Sequence, residues 1–373
     1  MKFSITKPVI SSLLNHVLGA IDSKSTKPIL KNIYMDISNG SISLRANNLE
    51  MEIVATSSQL DVIDEGKITL PGKKFVDIVR SLDESSELLF ALESDLPSQM
   101  IVKCGRSRFK LSTLPANEYP TLDIDENRIL STFSVCAKNL KAAIDPVQSF
   151  SANNDVRYYL NGVFVEQTAD EINFVATDGH RLACKGLPSY SYSVTPSEAV
   201  TGIILKSTIS SIVKLCDSEE DATMVFTDKH VFVYTSSVSI SSRLIDGRFP
   251  DYKAVIPKNN KIKATVDSSK FISALGSAKI LSNEKYRGCE LNISNSNLQV
   301  LSHNPEQEEA DISFDVDCPN GELVIGANTD YLINAVKVVG GSEVVLEMKD
   351  ASTPILINRT NDLTTVVVMP MRL

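Results

Sequence analysis

The sequence predicts an α+β protein in which one module of helices and antiparallel strands is used three times. Three similar stretches each contain a polar or glycine entry, an alternating strand, a turn and a second alternating strand. They cover residues 28–48, 158–178 and 285–304, and they start about one third of the chain apart. A module repeated in this way is more typical of a scaffold with a defined shape than of a single-pocket enzyme.

The elements around these hairpins recur in the same order. Each module opens with a strand and a helical pattern, at residues 3–21, 133–150 and 264–281. After each hairpin come a strand and a second helical pattern, at residues 67–82, 202–216 and 321–339. Each module ends on an apolar residue followed by proline, at Tyr119-Pro120, Phe249-Pro250 and Met369-Pro370. We therefore expect three domains, covering residues 1–128, 129–257 and 258–373.

Six segments have the apolar spacing of amphipathic helices. In the first, Ile10, Leu13, Leu14 and Val17 recur at i, i+3, i+4 and i+7, which places one apolar face against a sheet. The six segments cover residues 10–21, 75–82, 140–147, 209–216, 271–278 and 332–339. Pro146 lies inside the third stripe, where it costs about 3 kcal/mol, so we expect a kink or an early stop there.

Composition places the chain among ordinary soluble proteins. It has 373 residues, of which 43% are hydrophobic and 22% charged, and it lacks a run long enough to cross a bilayer. The N-terminus has no apolar signal-peptide core, so we expect a cytoplasmic protein. None of the six cysteines forms a C-x-x-C pair, which favours buried free thiols over a disulfide or a metal site.

Motifs for catalysis are scarce. The sequence has no phosphate-binding glycine loop, no G-x-G-x-x-G and no H-E-x-x-H. Asp178 and His180 are compatible with a general-base pair or with metal ligands, as in a hydrolase. Asp178-Gly179 is also an ordinary turn signal at the end of a strand. We expect no cofactor, and we keep the hydrolase as an alternative, together with a repeat-built interaction module that has no DNA role.

The charge pattern leaves nucleic-acid binding open. A net charge of −9 argues against DNA unless the basic residues are segregated from the acidic ones. Several basic residues do lie on or beside the helical segments: Lys24, Lys73, Lys74, Arg80, Lys138, Lys141, Lys206 and Lys214. An acidic body with a basic helical lining is one interpretation, and solvated helix faces with no partner are the other.

Six longer strings of residues carry a specific resemblance. They are DVRYYLNG (155–162), ATDGHRLA (176–183), DGRFPDY (246–252), ILSNEKYRG (280–288), NPEQEEA (304–310) and VVMPMRL (367–373). With these strings the chain resembles the bacterial DNA polymerase III beta subunits, the sliding-clamp family, over its whole length. The resemblance implies a ring-shaped head-to-tail homodimer, with helices lining a central hole and antiparallel sheets outside.

The same resemblance implies a function without covalent chemistry. The ring would encircle duplex DNA without sequence specificity, slide along it and act as a processivity factor for the replicative polymerase. The implied partners are the DNA polymerase III alpha subunit, the clamp loader and other clamp-binding replication and repair proteins, with no membrane partner. A ring that is topologically linked to DNA needs only weak, salt-screened attraction to it.

A partner-peptide pocket is implied by position in the family. Its residues would be Leu160, Thr177, Gly179, His180, Arg181, Leu182, Pro250, Val255, Val367, Met369, Pro370 and Met371. Methionine and leucine adapt to different apolar anchors, which suits one groove that serves several proteins. Plain packing of a C-terminal strand is the alternative role for Met369 and Met371.

DNA contacts are implied at a second set of positions. They are Lys24, Lys73, Arg80, Asn154, Tyr158, Tyr159 and Lys206. Lysine and arginine suit phosphates, and tyrosine suits stacking on an unpaired base. If Tyr158 and Tyr159 lie on a strand, one of them faces the core. Ser207 and Ala254 stand where the resemblance implies basic residues, which would weaken the contact with DNA.

Ring closure is implied at a third set of positions. Phe109 and Leu111 of one chain would pack on Ile280 and Leu281 of the other. Around them, Lys74, Arg106 and Arg108 would face Glu306, Glu308 and Glu309. The segment 106–111 would act as an edge strand that joins the neighbouring sheet. Phe109 and Leu111 alternate with Arg108 and Lys110, and this pattern fits packing inside one domain as well as it fits a contact between two chains.

Overall fold

A computed structural model describes residues 1–93, 99–121, 129–188, 192–193, 199–217, 219–294, 296–319 and 321–372. The expected boundary after residue 128 lies outside the described residues. Within the described ranges no helix is long and apolar enough to cross a membrane.

The described elements follow one order three times. The first repeat contains β1 (Lys2–Thr6), α1 (Lys7–Val17), β2 (Asn32–Ser38), β3 (Ser41–Asn47), β4 (Met51–Ser57), β5 (Asp61–Asp64), β6 (Gly66–Pro71), α2 (Gly72–Arg80), β7 (Glu87–Leu92), β8 (Gln99–Cys104) and β9 (Ser107–Ser112). The second contains β10 (Ser131–Cys136), α3 (Ala137–Gln148), β11 (Gly162–Gln167), β12 (Ile172–Thr177), β13 (Arg181–Leu187), β14 (Tyr192–Ser193), β15 (Val200–Leu205), α4 (Lys206–Leu215), β16 (Asp221–Phe226), β17 (His230–Tyr234) and β18 (Val238–Arg243), followed by the short α5 (Tyr252–Val255). The third contains β19 (Ile262–Asp267), α6 (Ser268–Ile280), β20 (Gly288–Ser294), β21 (Asn297–His303), β22 (Glu309–Asp315), β23 (Leu323–Asn328), α7 (Thr329–Val339), β24 (Glu343–Met348), β25 (Ile355–Asn358) and β26 (Thr364–Val368). The threefold α+β organisation expected from the sequence is confirmed.

Contacts group the chain into two compact units that do not follow the repeats. The first unit comprises residues 1–141, 192–200 and 207–244, and the second comprises residues 142–191, 201–206 and 245–373. The first unit holds a five-stranded sheet, β5-β1-β7-β8-β9, and a nine-stranded sheet, β14-β10-β16-β17-β18-β4-β3-β2-β6. The second holds an eight-stranded sheet, β15-β11-β12-β13-β26-β25-β24-β19, and a four-stranded sheet, β22-β21-β20-β23.

Strand pairing between repeats explains this grouping. In the first unit β18 pairs antiparallel with β4, from Val238 opposite Ala55 to Ser242 opposite Met51. In the second unit β13 pairs antiparallel with β26, from Arg181 opposite Val368 to Lys185 opposite Thr364. Each pairing makes one continuous sheet out of strands from two repeats. The backbone hydrogen bonds of the sheets therefore join consecutive repeats.

Aromatic packing fills the core of the first unit. Phe90 on β7 stacks on Phe3 of β1 at 4.6 Å between ring centroids. Phe75 of α2 meets Phe90 edge-on at 5.7 Å. All three rings are fully buried, so α2 is fixed on the five-stranded sheet by its apolar face. The buried Lys7 donates to the carbonyl of Leu82 and to Glu84, which satisfies its charge just beyond the C-terminus of α2.

Two capped helices cover the sheets of the second unit. Asp267 accepts a hydrogen bond from the backbone N–H of Lys270 at 2.8 Å and starts α6. Asn328 accepts one from Tyr331 N–H at 3.0 Å and starts α7. The buried faces of α6 and α7 carry the apolar stripes that the spacing predicts. The buried positions are Phe271, Ala274, Leu275 and Ala278 on α6, and Leu332, Ala335, Val336 and Val339 on α7.

Two local expectations need correction. Helix α3 runs through Pro146 and ends two residues later at Gln148, so proline stands in its last turn and does not stop it early. The alternative expectation, a kink at Pro146, stays a prediction. The second hairpin does not begin as a strand at Tyr158, because Tyr158–Leu160 forms a 3-10 turn and β11 begins at Gly162. Gly162 is needed there, since a Cβ atom would lie 2.4 Å from the carbonyl oxygen of Ile204. The six cysteines are free thiols, and four of them are buried.

Removing the central ring of the five-stranded sheet should destabilise the first unit strongly. We expect Phe90→Ala to lower the free energy of unfolding by about 3–5 kcal/mol, because the ring is fully buried between Phe3 and Phe75. Ile63→Ala on β5 of the same sheet is the matched control, since Ile63 is exposed and should change stability by less than about 0.5 kcal/mol. Urea unfolding followed by circular dichroism measures both, and equal effects would contradict this packing.

Candidate functional site

The second unit brings together predicted pocket residues that are far apart in the chain. Within the eight-stranded sheet, Thr177 on β12 lies opposite Leu182 on β13. Leu182 in turn lies opposite Val367 on β26. Opposed residues of antiparallel strands project from the same face, so these three side chains form one row. All three are buried.

An apolar cluster extends this row. Leu182 and Val367 pack with Val175, Cys184, Ile203, Phe249, Tyr252 and Leu356. Tyr159, Phe164, Ile245 and Ile256 pack against the cluster from positions that are only partly buried. Phe164 stacks on Phe249 at 4.7 Å, which fixes the segment that leads into α5. The predicted pocket therefore has a rigid apolar floor.

Exposed side chains border this floor. The backbone N–H of Met369 donates to the carbonyl of His180 at 2.9 Å, which joins the C-terminal segment to the β12–β13 turn. Met369 and Val255 are each 39% exposed, so both present apolar surface to solvent. Gly179, His180 and Pro250 are also exposed, while Arg181, Pro370 and Met371 are partly exposed. Leu160 is buried at the end of the 3-10 turn, next to Tyr159.

The Asp178 carboxylate shapes a turn. Its Oδ1 accepts from the backbone N–H groups of His180 at 2.9 Å and Arg181 at 3.1 Å, and its Oδ2 pairs with Arg181 Nε at 3.0 Å. Gly179 has φ +88°, and a Cβ there would meet the Arg157 guanidinium at 3.0 Å. These contacts support the turn interpretation of Asp178-Gly179. They leave Asp178 without the geometry of a general base for His180.

Arg181 joins three elements of the second unit. Its guanidinium lies 4.7 Å from the ring centroid of Phe150 and 4.7 Å from that of Tyr331. It also donates to the carbonyl of Ser149 at 3.1 Å. The His180 ring stacks on the same Tyr331 ring, with 6.3 Å between the ring centroids. The cation between two rings fixes the turn that forms one side of the pocket.

The loop before β11 is ordered by its own polar groups. Asp155 accepts from Arg157 Nε at 3.0 Å and Nη2 at 2.9 Å, and Asn161 Nδ2 donates to the carbonyl of Asp155 at 2.9 Å. The Arg157 hydrogen bonds lower the pKa of Asp155 from 3.8 to about 2. Because the folded pKa lies below the ordinary one, the pair stabilises the loop above about pH 4 and loses this effect as the pH falls through 2.

The predicted DNA residues occur in both units. In the first unit Lys24, Lys73 and Arg80 are exposed, and Lys73 and Arg80 lie two turns apart on α2. In the second unit Asn154 and Tyr158 are exposed. Lys206 donates to Asn153 Oδ1 at 2.7 Å. The pKa of Lys206 is lowered, mainly because its ammonium group is partly buried and secondly because the positive charge of Arg181 is nearby.

The two tyrosines differ from the strand expectation. Because they lie in a 3-10 turn, they are not on opposite faces of a sheet, and neither is fully buried. Tyr158 is 58% exposed, whereas Tyr159 packs against the apolar cluster. Their rings meet edge-on at 6.0 Å.

The predicted interface residues lie on or near sheet edges. Strand β9 is an edge of the five-stranded sheet, and β22 is an edge of the four-stranded sheet. Lys74, Arg106, Arg108, Glu306 and Glu308 are exposed, as is Ile280 at the end of α6, and Leu281 is partly buried. Leu111 is only 5% exposed, so its side chain is committed to its own sheet, whereas Phe109 stays half-buried. The structure thus shows that Phe109 and Leu111 differ in burial, which the alternating sequence pattern did not reveal.

A groove lies beside the β22 edge. It has a volume of about 420 Å³ and runs between α6 and β22, where Ala274, Ile312 and Phe314 supply apolar surface.

Among the described residues, no group of three or more metal-ligating side chains could hold a metal ion.

Sequence reasoning missed the residues that fix the pocket wall. Phe150 and Tyr331 reach Arg181 from distant parts of the chain, and no local pattern signals that meeting. Arg157 and Asp155 were visible as neighbours in the DVR string, but their bidentate pairing depends on the turn that follows.

Comparison with known families gives three matches in chain order. Residues 1–123 match the N-terminal domain, residues 134–251 the central domain and residues 253–372 the C-terminal domain of the DNA polymerase III beta subunit.

Full-length relatives and solved structures agree with these matches. The chain is 34% identical to a beta sliding clamp of Pseudomonas aeruginosa and 36% identical to one of Escherichia coli K12, with 100% of each chain covered. It superposes on a Pseudomonas aeruginosa sliding clamp bound to griselimycin with a TM-score of 0.95 at 34% identity. For the Caulobacter crescentus pol III beta structure the TM-score is 0.90 at 28% identity, and both structures are covered over 100% of each chain.

Replacing Arg181 should loosen the turn at the pocket. We expect Arg181→Lys to lower the free energy of unfolding by about 1–3 kcal/mol, because a lysine cannot stack between two rings while pairing with Asp178. Lys349→Ala, an exposed charge change in the same unit, should stay within about 0.5 kcal/mol. Urea midpoints provide the comparison, and an Arg181→Lys midpoint equal to that of the control would show that the stacked guanidinium is dispensable.

Proposed function

This chain belongs to the DNA polymerase III beta subunit family, and we propose that two copies close into a ring around duplex DNA and tether the replicative polymerase to it. Full-length similarity to beta sliding clamps, across all three repeats, is the observation that carries this proposal. The protein is a non-catalytic processivity factor. The geometry of Asp178 in its turn supports neither the hydrolase nor a general-base role.

The apolar floor and its exposed methionine support a peptide pocket in the second unit. Partner segments would insert apolar anchors over Leu182 and Val367, between Met369 and Val255. The proposed occupants are the polymerase alpha subunit, the clamp loader and other clamp-binding replication and repair proteins. They would compete for one groove, because the adaptable side chains at its rim suit several apolar anchors.

Complementary sheet edges support closure by a second copy. The exposed face of β9 carries Arg108 and Lys110, and that of β22 carries Glu309 and Asp311. On the other faces, Phe109 of β9 is half-buried, and Ile312 and Phe314 of β22 line the groove beside α6. Pairing β9 of one copy with β22 of another would join two sheets and cover these apolar groups. Leu111 would support Phe109 from within its own sheet.

Enclosure explains how an acidic protein stays on DNA. The exposed Lys24, Lys73, Arg80 and Asn154 would meet phosphates weakly, and Tyr158 would stack on an unpaired base. Lys206 is held by Asn153 and adds a fixed positive charge. Such contacts are non-specific and salt-screened, so the ring slides. Ser207 and Ala254 carry no positive charge, so they add nothing to a basic lining of the hole. The proposed location of the ring is the bacterial cytoplasm.

Topological retention tests the proposed function. After loading by a bacterial clamp loader, the protein should remain on nicked circular DNA and leave quickly once that DNA is cut, because free ends let a ring slide off. Gel filtration of labelled protein before and after cutting gives the retained fraction. Equal loss from circular and linear DNA would indicate ordinary binding and would overturn enclosure.

A charge placed at Phe109 should open the proposed assembly. We expect Phe109→Asp to reduce the solution mass from twice 40.8 kDa to that of one chain, because a carboxylate would be buried at the edge contact. Leu363→Asp, at an exposed position in the second unit, is the control that should keep the wild-type mass. Light scattering coupled to gel filtration gives both masses, and an unchanged mass for Phe109→Asp would exclude this edge.

A further inference from the structure

A loop of the first repeat, between α1 and β2, carries three exposed lysines. Residues 22–31 contain Lys24, Lys27 and Lys31 but a single carboxylate, Asp22. Within the described ranges the three ammonium groups have no hydrogen-bond or ion-pair partner. None of the three lysines belongs to the set proposed for ring closure. The loop is therefore a positively charged part of an otherwise acidic chain, whose net charge is −9.

The shape of this loop is fixed by its backbone. The Asp22 carboxylate accepts a hydrogen bond from the backbone N–H of Lys24 at 3.1 Å. Residues Pro28–Lys31 form a 3-10 turn, and the backbone N–H of Asp22 donates to the carbonyl of Leu30 at 3.3 Å. Leu30 is only 2% exposed, so it anchors the turn in the core of the first unit. The lysines thus extend from an ordered loop.

The loop lies beside the start of α2. Strands β2 and β6 pair with Asn32 opposite Pro71, so Lys31 and Gly72 are neighbours at the end of this ladder. A Cβ atom on Gly72 would lie 3.1 Å from the carbonyl oxygen of Lys31. Lys73 follows directly, is exposed, and belongs to a helix that is itself net positive. We call Lys24, Lys27, Lys31 and Lys73 the basic loop patch.

The second repeat shows that the module folds without free cations at these positions. When the first two hairpins are aligned, Lys27 corresponds to Arg157, and Lys31 corresponds to Asn161. In the second repeat both side chains bond inside the loop, because Arg157 pairs with Asp155 and Asn161 donates to the Asp155 carbonyl. Within the described residues the two lysines make no such contact. Their charges are therefore available to a ligand.

We propose that the basic loop patch binds backbone phosphates of the encircled duplex, with Lys27 and Lys31 as two contacts beyond those already assigned. This inference rests on the proposed function, because the ligand is the same DNA. Lys73 is the second residue of α2, and the second residue of α4 is the uncharged Ser207. The first repeat thus supplies attraction that the second repeat lacks at this position.

The spacing of the new contacts suits a nucleic-acid backbone. A 3-10 turn rises about 2 Å per residue, so Lys27 and Lys31 are about 8 Å apart along it. Phosphates on one strand of B-DNA advance about 3.4 Å per nucleotide, so two to three steps cover the same distance. Lysine is a point charge on a flexible stem, which suits phosphates that move past a sliding ring. Phosphate contacts carry no sequence information, so the patch adds no base preference.

The salt dependence of duplex binding tests the proposal. Fluorescence polarisation of a short labelled linear duplex, titrated with full-length protein at a series of salt concentrations, gives the slope of log Kd against log salt. We expect the double variant Lys27→Gln/Lys31→Gln to reduce this slope by about 2, because each lost phosphate contact removes about 0.9. The control Lys261→Gln/Lys349→Gln removes two exposed lysines of the second unit and the same net charge, and it should keep the wild-type slope.

The outcomes separate this proposal from the proposed function. Equal slopes for the two double variants would overturn phosphate binding at the patch, and so would the absence of wild-type binding at the lowest salt. A Lys27→Gln/Lys31→Gln protein with the mass of one chain would assign these lysines to contact between copies and would also overturn it. Retention of wild-type protein on nicked circular DNA is measured separately. If retention is found while the slopes are equal, enclosure stands and the patch fails.

Discussion

Backbone hydrogen bonding between strands of consecutive repeats determines how the large sheets of this protein are built. Antiparallel contacts of β18 with β4, and of β13 with β26, extend each sheet from one repeat into the next. Every pairing removes two sheet edges and their unsatisfied N–H and C=O groups. The edges that remain at β9 and β22 are therefore informative, because one is basic and the other acidic. They define where another copy would continue the same pattern.

The proposed pocket depends on the same sheet continuity. Without the β13–β26 pairing, Leu182 and Val367 would not share a face, and Met369 would not reach the His180 carbonyl. Arg181 then fixes the turn by stacking between Phe150 and Tyr331. An apolar floor packed in this way, with an exposed methionine at its rim, would combine low reorganisation cost with tolerance of different anchors in the proposed pocket. The scaffold and the proposed recognition site thus both depend on one set of strand pairs.

The sequence predicted what depends on local periodicity. Apolar spacing located the six main helices, and alternation located the three hairpins, because both patterns reflect burial on one face. It did not predict the 3-10 turn at Tyr158–Leu160, which is held by bonds such as Asn161 to Asp155. It also left Phe109 and Leu111 equivalent, although only Leu111 is buried by its own sheet. The rings around Arg181 come from distant segments, so only the folded chain reveals them.

Hydrogen exchange of the backbone amides in β9 and β22 tests whether these two edges pair between copies. If these edges pair between copies, their amides should be protected in the full-length protein, and protection should fall on dilution as the copies separate. Amides in the β13–β26 ladder should stay protected at every concentration. Rapid exchange of β9 and β22 at all concentrations, with the inner ladders intact, would contradict closure of the ring through these edges.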